Sequence, residues 1–224
     1  MAASDPSPSV DRPRRVFSRI YARISQRMEA EGMAELRHEL LDGLAGEVVE
    51  IGCGNGMNFA HYPTTVTGVV AVEPEPYLRA LASRAAETAP VRVLAGTADR
   101  LPLPDRSVDA AVLCLVMCSL DDRPAMLAEL IRVLRPGGQL RFFEHTIADT
   151  PGLRMTQRII DATVWPLLAG GCHTATDPAA LITSAGFEIT RIRGVRFPDS
   201  RLTMPTTPHV LGAATTPGWT GTES

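Results

Sequence analysis

At 224 residues with 45% hydrophobic content, the chain can bury one substantial core, so a single domain with helical attachments is expected rather than two full domains. A net charge of −3 and a scatter of basic residues supply no concentrated basic face for phosphates, which argues against a nucleic-acid partner. All 22 basic residues are arginine. Lysine Schiff-base and lysine-base chemistry are therefore excluded.

The N-terminal stretch "MAASDPSPSVDRPRR" is polar, with no basic-plus-hydrophobic leader, so residues 1–15 read as a flexible tail and the expected location is cytoplasmic. Helical periodicity follows from Val16 to about Leu44, with Phe17, Ile20, Tyr21, Ile24 and Met28 on one stripe. Short apolar runs then alternate with helix-length segments. The runs "EVVEI" (47–51), "VTGVVAV" (66–72), "VRVLA" (91–95), "VDAAVLCL" (108–115) and "QLRFFEH" (139–145) are expected strands. Pro76 suits the first turn of a helix through Ala89, Asp122 can cap one running to Leu134, and the glycines of "RPGGQ" stop it. Such alternation implies an α/β fold with a doubly wound, mostly parallel sheet.

The longest apolar run, "AAVLCLVMC" from Ala110, is far shorter than the roughly 20 residues that cross a bilayer and fits a strand buried on both faces. No membrane insertion is expected. Farther on, a helix opens at Asp177 and Pro178 and ends at Gly186, a strand starts at Phe187, and "PHVLGAA" (208–214) supplies a last strand. Residues 215–224 read as a second tail, and no internal repeat is present. Cys53, Cys114, Cys118 and Cys172 have neither zinc-type spacing nor the density of a disulfide scaffold, so they are expected reduced and no metal is expected.

"VVEIGCGNGMNF" (48–59) places glycines at 52, 54 and 56 directly after a strand. A dinucleotide fingerprint needs its third glycine at 57, where Met57 stands, so that template fails. Glu50-x-Gly52-x-Gly54-x-Gly56 instead resembles the first motif of class I S-adenosylmethionine-dependent methyltransferases. Bare glycines let the backbone pass close to a bulky ligand without gripping a pyrophosphate. The resemblance implies a Rossmann-like seven-stranded sheet of order 3-2-1-4-5-7-6, with N-terminal helices over 16–46, a cofactor-binding core over 47–147 and a C-terminal part with substrate cap over 148–214. It also implies S-adenosylmethionine as cofactor, with S-adenosylhomocysteine as its product.

Carried onto this chain, the resemblance assigns Glu50, Gly52, Cys53, Gly54, Gly56 and Asn58 to the cofactor's amino-acid end. Glu73 with Pro74, about 20 residues on at the end of the second strand, would accept both ribose hydroxyls. "AGTADRLPLPD" resembles the adenine-contacting segment, with Thr97, Asp99 or the backbone of Ala98 holding the adenine amino group. Carbonyls around Cys114 and Leu115 would take the cofactor's amino group. Taken together, "EIGCGNGMNFAHYP", "LVMCSL", "EHT", Gln157 and "DATVWPLLAGGCH" are similar to thiol S-methyltransferases and their soluble bacterial relatives, over about Val16 to Ala213. Membrane-bound members of that family carry a hydrophobic N-terminal anchor, for which no counterpart stands in this sequence.

Acceptor-side candidates follow the crevice rule for open sheets: Tyr21, Cys118, Ser119, Trp165 and Cys172 for binding, with Asp161 nearby, and His145, His173 and Glu144 for catalysis. Histidine is the side chain suited to proton transfer at physiological pH; His145 follows a strand end, and His173 follows "GGC". Glu144 alternates to the opposite side of the strand from His145. The expected activity is methyl transfer to a small molecule by a monomer or homodimer, with a thiol as preferred acceptor. The alternatives are N- or C-methylation of an amine, phospholipid headgroup or quinone precursor, and a non-catalytic cofactor-binding module.

Overall fold

A computed structural model describes residues 15–163, 165–199 and 203–217. The expected tails lie outside them apart from residues 15 and 215–217. Seven strands form one sheet of order β3-β2-β1-β4-β5-β7-β6, as the motif resemblance implied. They are β1 (Gly46–Ile51), β2 (Val66–Val72), β3 (Val91–Leu94), β4 (Val108–Cys114), β5 (Leu134–His145), β6 (Glu188–Arg196) and β7 (Pro208–Thr215). The pairings β1–β2, β2–β3, β1–β4 and β4–β5 are parallel, whereas β7 runs antiparallel to both β5 and β6. Strand order reverses between β1 and β4. Chain leaving these two strands diverges to opposite sides, which opens a crevice at their C-terminal ends.

The strands are apolar on both faces because both faces are covered. On one side Val49, Ile51, Val70, Leu113 and Phe142 pack with Met126, Leu127 and Leu130 of α4 (Arg123–Val133) and Ile182 of α7 (Pro178–Ser184). On the other, Val48, Val69, Val112 and Phe143 pack with Leu40 and Leu41 of α2 (Ala34–Leu41). Each such side chain contributes roughly 1.5–3 kcal/mol by leaving water. The helix α3 (Pro76–Ala85) follows β2, and α5 (Pro151–Asp161) and α6 (Trp165–Leu168) lie between β5 and α7.

Caps fall where the residue types put them. Asp122 Oδ1 accepts from the Ala125 amide at 2.9 Å, and Asp177 Oδ1 from Ala180 at 3.0 Å. Asp122→Ala should cost about 1 kcal/mol, read as a lower urea midpoint at unchanged slope; an unmoved midpoint would mean that water caps α4 equally well. Strand β5 begins earlier than expected. Leu134 pairs with Val108 and Gln139 with Ala110, so residues 135–138 loop out between them, and Gly137 takes φ 74°.

The N-terminal region departs from the expected continuous helix. Chain direction breaks at Gly32 (φ 106°), in a π-type turn (Glu29–Met33) between α1 (Arg15–Met28) and α2. The expected apolar stripe is only partly inward: Ile20 and Ile24 are 49% and 47% exposed, while Phe17 and Tyr21 line a cavity and Ser18, Ala22 and Ser25 are buried. Ser25 Oγ takes a hydrogen bond from Asn55 Nδ2 at 3.0 Å, and Tyr21 lies over Gly54, so this face of α1 rests on the glycine turn.

Candidate active site

The glycine turn leaves β1 with Gly52 at φ 63° and Gly54 at φ 57°, a region that L side chains avoid. Space is short as well. A Cβ at Gly52 would collide with the Val116 side chain, and one at Gly54 would stand 3.1 Å from Tyr21 Cε1. Both glycines line a cavity of about 410 Å³ at the switch between β1 and β4.

Glu73 closes one wall of that cavity and is 5% exposed. Its Oε2 accepts from the Gly54 amide and its Oε1 from the Glu75 amide, each at 2.9 Å. Each carboxylate oxygen takes about two hydrogen bonds, so one acceptor position remains on each. Burial pushes the carboxyl up from 4.5 to about 7, against the pull of those two amides. Opposite it, Leu115 takes φ 58°, which turns the chain into the cavity directly after β4.

Of the residues assigned from the sequence, Gly52, Gly54, Glu73, Pro74, Thr97, Ala98 and Leu115 line the cavity, and so do Tyr21 and Ser119. Asp99, Cys53, Gly56, Cys114, Asn58 and Glu50 do not. Glu50 Oε1 accepts from Asn58 Nδ2 and Oε2 from Tyr62 Oη, at 2.8 Å each, and burial raises its carboxyl to about 7. Rather than facing the cavity, Glu50 and Asn58 brace the turn from behind. Burial pushes the Cys114 thiol up to about 12.

Sequence reasoning missed Arg37. It is 4% exposed, donates from Nε to Glu29 Oε2 at 2.9 Å and from Nη1 to Asn58 Oδ1 at 2.5 Å, and lies 3.5 Å from Cys114 Sγ. One buried guanidinium therefore ties the helix break to the glycine turn. Phe17, Ser18, Val116, Asp121 and Gly170 are further cavity residues that the sequence did not single out as ligand contacts.

The acceptor side is assembled from three separate segments. Cys118 sits in a short 3-10 turn (Met117–Ser119) after β4, His145 at the end of β5 and Cys172 after α6, and their ligand-type atoms all lie within 4.8 Å of one another. Trp165 Nε1 and His145 Nδ1 are buried without a hydrogen-bond partner. Cys118 first, and the neighbouring His145, hold the Cys172 thiol below its ordinary value, while that of Cys118 is raised.

Glu144 is fully buried, its Oε2 has no hydrogen-bond partner, and burial raises its carboxyl to about 7. Its Oε1 accepts from the amides of Val116 and Met117 at 3.0 and 3.1 Å, which fixes the turn bearing Cys118. His209, unflagged by the sequence, pairs across β5–β7 with His145 at 4.2 Å between ring centroids. Burial lowers its pKa to about 3, so it is neutral. His173 is exposed, with Nδ1 2.8 Å from Gly171 O, and lines a separate surface cavity. Asp161 accepts from the Thr174 amide and hydroxyl and from the Ala175 amide at 2.8–3.0 Å, a loop brace rather than a reacting group. Gln157 is wholly buried and holds Ala148, Thr146, Thr174 and Pro205.

The chain is similar to known proteins in sequence and in fold. A methyltransferase domain model matches residues 49–142. Thiol S-methyltransferase TMT1B of Rattus norvegicus is 31% identical over 210 residues, covering 89% of this chain and 84% of that protein. Thiol S-methyltransferase TMT1A of Homo sapiens is 31% identical over 198 residues, covering 82% and 80%. Among solved structures, an S-adenosylmethionine-dependent methyltransferase of Thermotoga maritima superposes with a TM-score of 0.65 at 24% identity, covering 90% of this chain and 98% of that one. N-methyltransferase NodS from Bradyrhizobium japonicum, in complex with S-adenosylhomocysteine, gives 0.61 at 16%, covering 86% and 87%.

The residues present suit that cofactor. Glu73 keeps an acceptor position on each oxygen for two vicinal hydroxyls, and Gly52 and Gly54 leave the backbone bare where an adenosyl group must pass. Sheet order, crevice position and relatives of this identity and coverage agree, and the chain belongs to the class I S-adenosylmethionine-dependent methyltransferases, as an enzyme whose cofactor is S-adenosylmethionine.

Proposed function

We propose that the enzyme S-methylates a small-molecule thiol. The observation that carries this reading is the cluster of Cys118, His145 and Cys172, which packs two sulfurs and an imidazole together within a few residues of Ser119 and Leu115 on the cofactor cavity. The 31% identity to thiol S-methyltransferases supports it. The cofactor supplies a methyl already activated on a sulfonium. The chain's own work is then to hold an acceptor sulfur in line, stabilise it as thiolate and keep water out.

Each element has a place in that work. Glu73, Thr97 and Ala98 hold the adenosyl end, and Tyr21, stacked against Phe17 at 5.7 Å between centroids, covers the glycine turn from α1. Phe17 in turn packs on Gly170, which joins α1 to the loop that carries Cys172. The acceptor end is therefore enclosed by both attachments to the sheet. Of the two candidate histidines, His145 belongs to this end and His173 does not.

Asp121 on the cavity wall favours a second reading, N-methylation of a small amine. A panel of thiols, amines and phenols incubated with cofactor and followed by mass spectrometry separates the two. A gain of one CH2 on thiols is expected; methylation of amines with thiols untouched would defeat the thiol reading. Among the described residues no helix is long and apolar enough to cross a membrane.

A further inference from the structure

We propose that Cys118, His145 and Cys172 bind a zinc ion whose fourth coordination position takes the acceptor thiol. The role of the metal, though not its binding, rests on the thiol reading above. Tetrahedral zinc, with sulfur at about 2.3 Å and nitrogen at about 2.0–2.1 Å, places its ligand atoms about 3.5–3.8 Å apart. Here the three atoms lie within 4.8 Å of one another, so contraction by about 1 Å closes the site. Two sulfurs and one imidazole with one open position is a ligand set of catalytic zinc, and two soft sulfurs among three ligands disfavour magnesium and calcium.

The three ligands are held before any metal arrives. The turn bearing Cys118 is pinned by Glu144, which accepts from the Val116 and Met117 amides, and Cys118 O accepts from the His173 amide at 2.9 Å, tying that turn to the loop of Cys172. The Cys172 amide donates to Ala169 O at 3.1 Å. His145 is fixed by its place at the end of β5, against His209. Its Nδ1 is buried with no hydrogen-bond partner, an arrangement that costs free energy unless something binds there. Spacing along the chain conceals this set, because its members come from segments 27 residues apart on each side, at positions 118, 145 and 172.

Zinc gives the acceptor a chemistry that the bare cluster lacks. A thiol displaces water from the fourth position, its proton leaves to solvent, and its sulfur remains on the metal as thiolate. That sulfur attacks the sulfonium methyl: a new S–CH3 bond forms while the old C–S bond breaks, and its electron pair stays with S-adenosylhomocysteine. No electron is gained or lost overall, and the neutral thioether leaves for another water. Ser119, next to Cys118, lines the cofactor cavity, which places the cluster one residue from its wall.

The test counts metal before it measures turnover. The full chain, purified without chelator, supplied with zinc and dialysed, should hold about one zinc per chain by elemental mass spectrometry. Cys118→Ser and Cys172→Ser should each weaken zinc binding at least about tenfold, the lower end of what outer-shell changes alone cost. Unchanged binding of S-adenosylhomocysteine and an unchanged circular dichroism spectrum would certify that both variants fold. Cobalt(II) placed in the unsubstituted protein should show thiolate charge-transfer absorption with tetrahedral d–d bands that shift on adding a small thiol, a readout that needs no variant and no turnover. Zinc content equal in wild type and both variants, copper retained instead of zinc, or a Cys118–Cys172 disulfide seen as the loss of two hydrogens would each overturn the proposal. So would full thiol methylation by metal-free enzyme, which leaves the thiol reading standing. Zinc bound at this site in an enzyme that methylates only amines would do the reverse.

Discussion

Glu73→Ala lowers affinity for S-adenosylhomocysteine at least about hundredfold in calorimetry. Two hydrogen bonds to an ionised, desolvated carboxylate are lost, each worth about 1.5–3 kcal/mol, and 1.4 kcal/mol is a factor of ten. The amides of Gly54 and Glu75 lose their acceptor as well, so the turn loosens in the free protein. Undiminished affinity would remove Glu73 from the cofactor site. The same residue gives a pH dependence. Burial raises its carboxyl from 4.5 to about 7, so below pH 7 it is largely protonated and offers fewer acceptor positions. Vicinal hydroxyls donate to the ionised form, so affinity should rise as pH increases from 6 to 8, and Glu73→Gln should bind weakly with little such slope.

Stability of the free protein should run the other way. A carboxyl raised in the folded state takes up more protons than the unfolded chain between pH 4.5 and about 7, so Glu50 and Glu73 make stability fall as pH rises through that window and then level off. Cofactor binding and folding thus ask opposite things of Glu73. Bound ligand should therefore raise the melting temperature more at pH 8 than at pH 6.

Arg37→Leu is the largest expected change in stability, about 3 kcal/mol. Removing one partner of a buried ion pair costs roughly 3–5 kcal/mol, and the lower end applies because the Glu29 side chain is 20% exposed and keeps His61 at 2.8 Å. The loss also strips Asn58 Oδ1 of its donor, and Asn58 is one of the two residues that hold Glu50. For a chain of this length 1 kcal/mol corresponds to about 2–4 °C, so a drop of about 6–12 °C is expected by calorimetry. Arg37→Lys should recover part of it, having charge but no fork to span Glu29 and Asn58. A drop below a few degrees in Arg37→Leu would show that the ion pair carries little of the link between helix break and glycine turn.

These residues also mark what the sequence could and could not disclose. Strand runs, helix caps and the glycine turn are local, set by periodicity and residue type, and each was legible. Glu73 was legible because its strand end fixes its side. Arg37 was not, since it stands in a helical region rich in arginines, and only the break at Gly32 folds it back inside. Glu50 and Asn58 were recognisable as a motif but not in direction: Asn58 and Tyr62 both donate to Glu50, and neither Glu50 nor Asn58 lines the cavity.

Ile20 and Ile24 followed a clean helical period and yet lie outward, because the face of α1 that rests on Gly54 and Asn55 is the one bearing Tyr21 and Ser25. Most hidden was the meeting of Cys118, His145 and Cys172. Metal and nucleophile motifs are read from close spacing, whereas here β4, β5 and the loop after α6 each deliver one side chain. His209 was hidden for the same reason, appearing only when β7 pairs antiparallel with β5.

Acceptor identity is tested most directly on one small molecule that carries a thiol and a primary amine on the same short scaffold, supplied with cofactor bearing a deuterated methyl. Fragmentation of the product locates the label. The account predicts a deuterated methyl on sulfur with the amine unmodified. A label on nitrogen with the thiol free would contradict it.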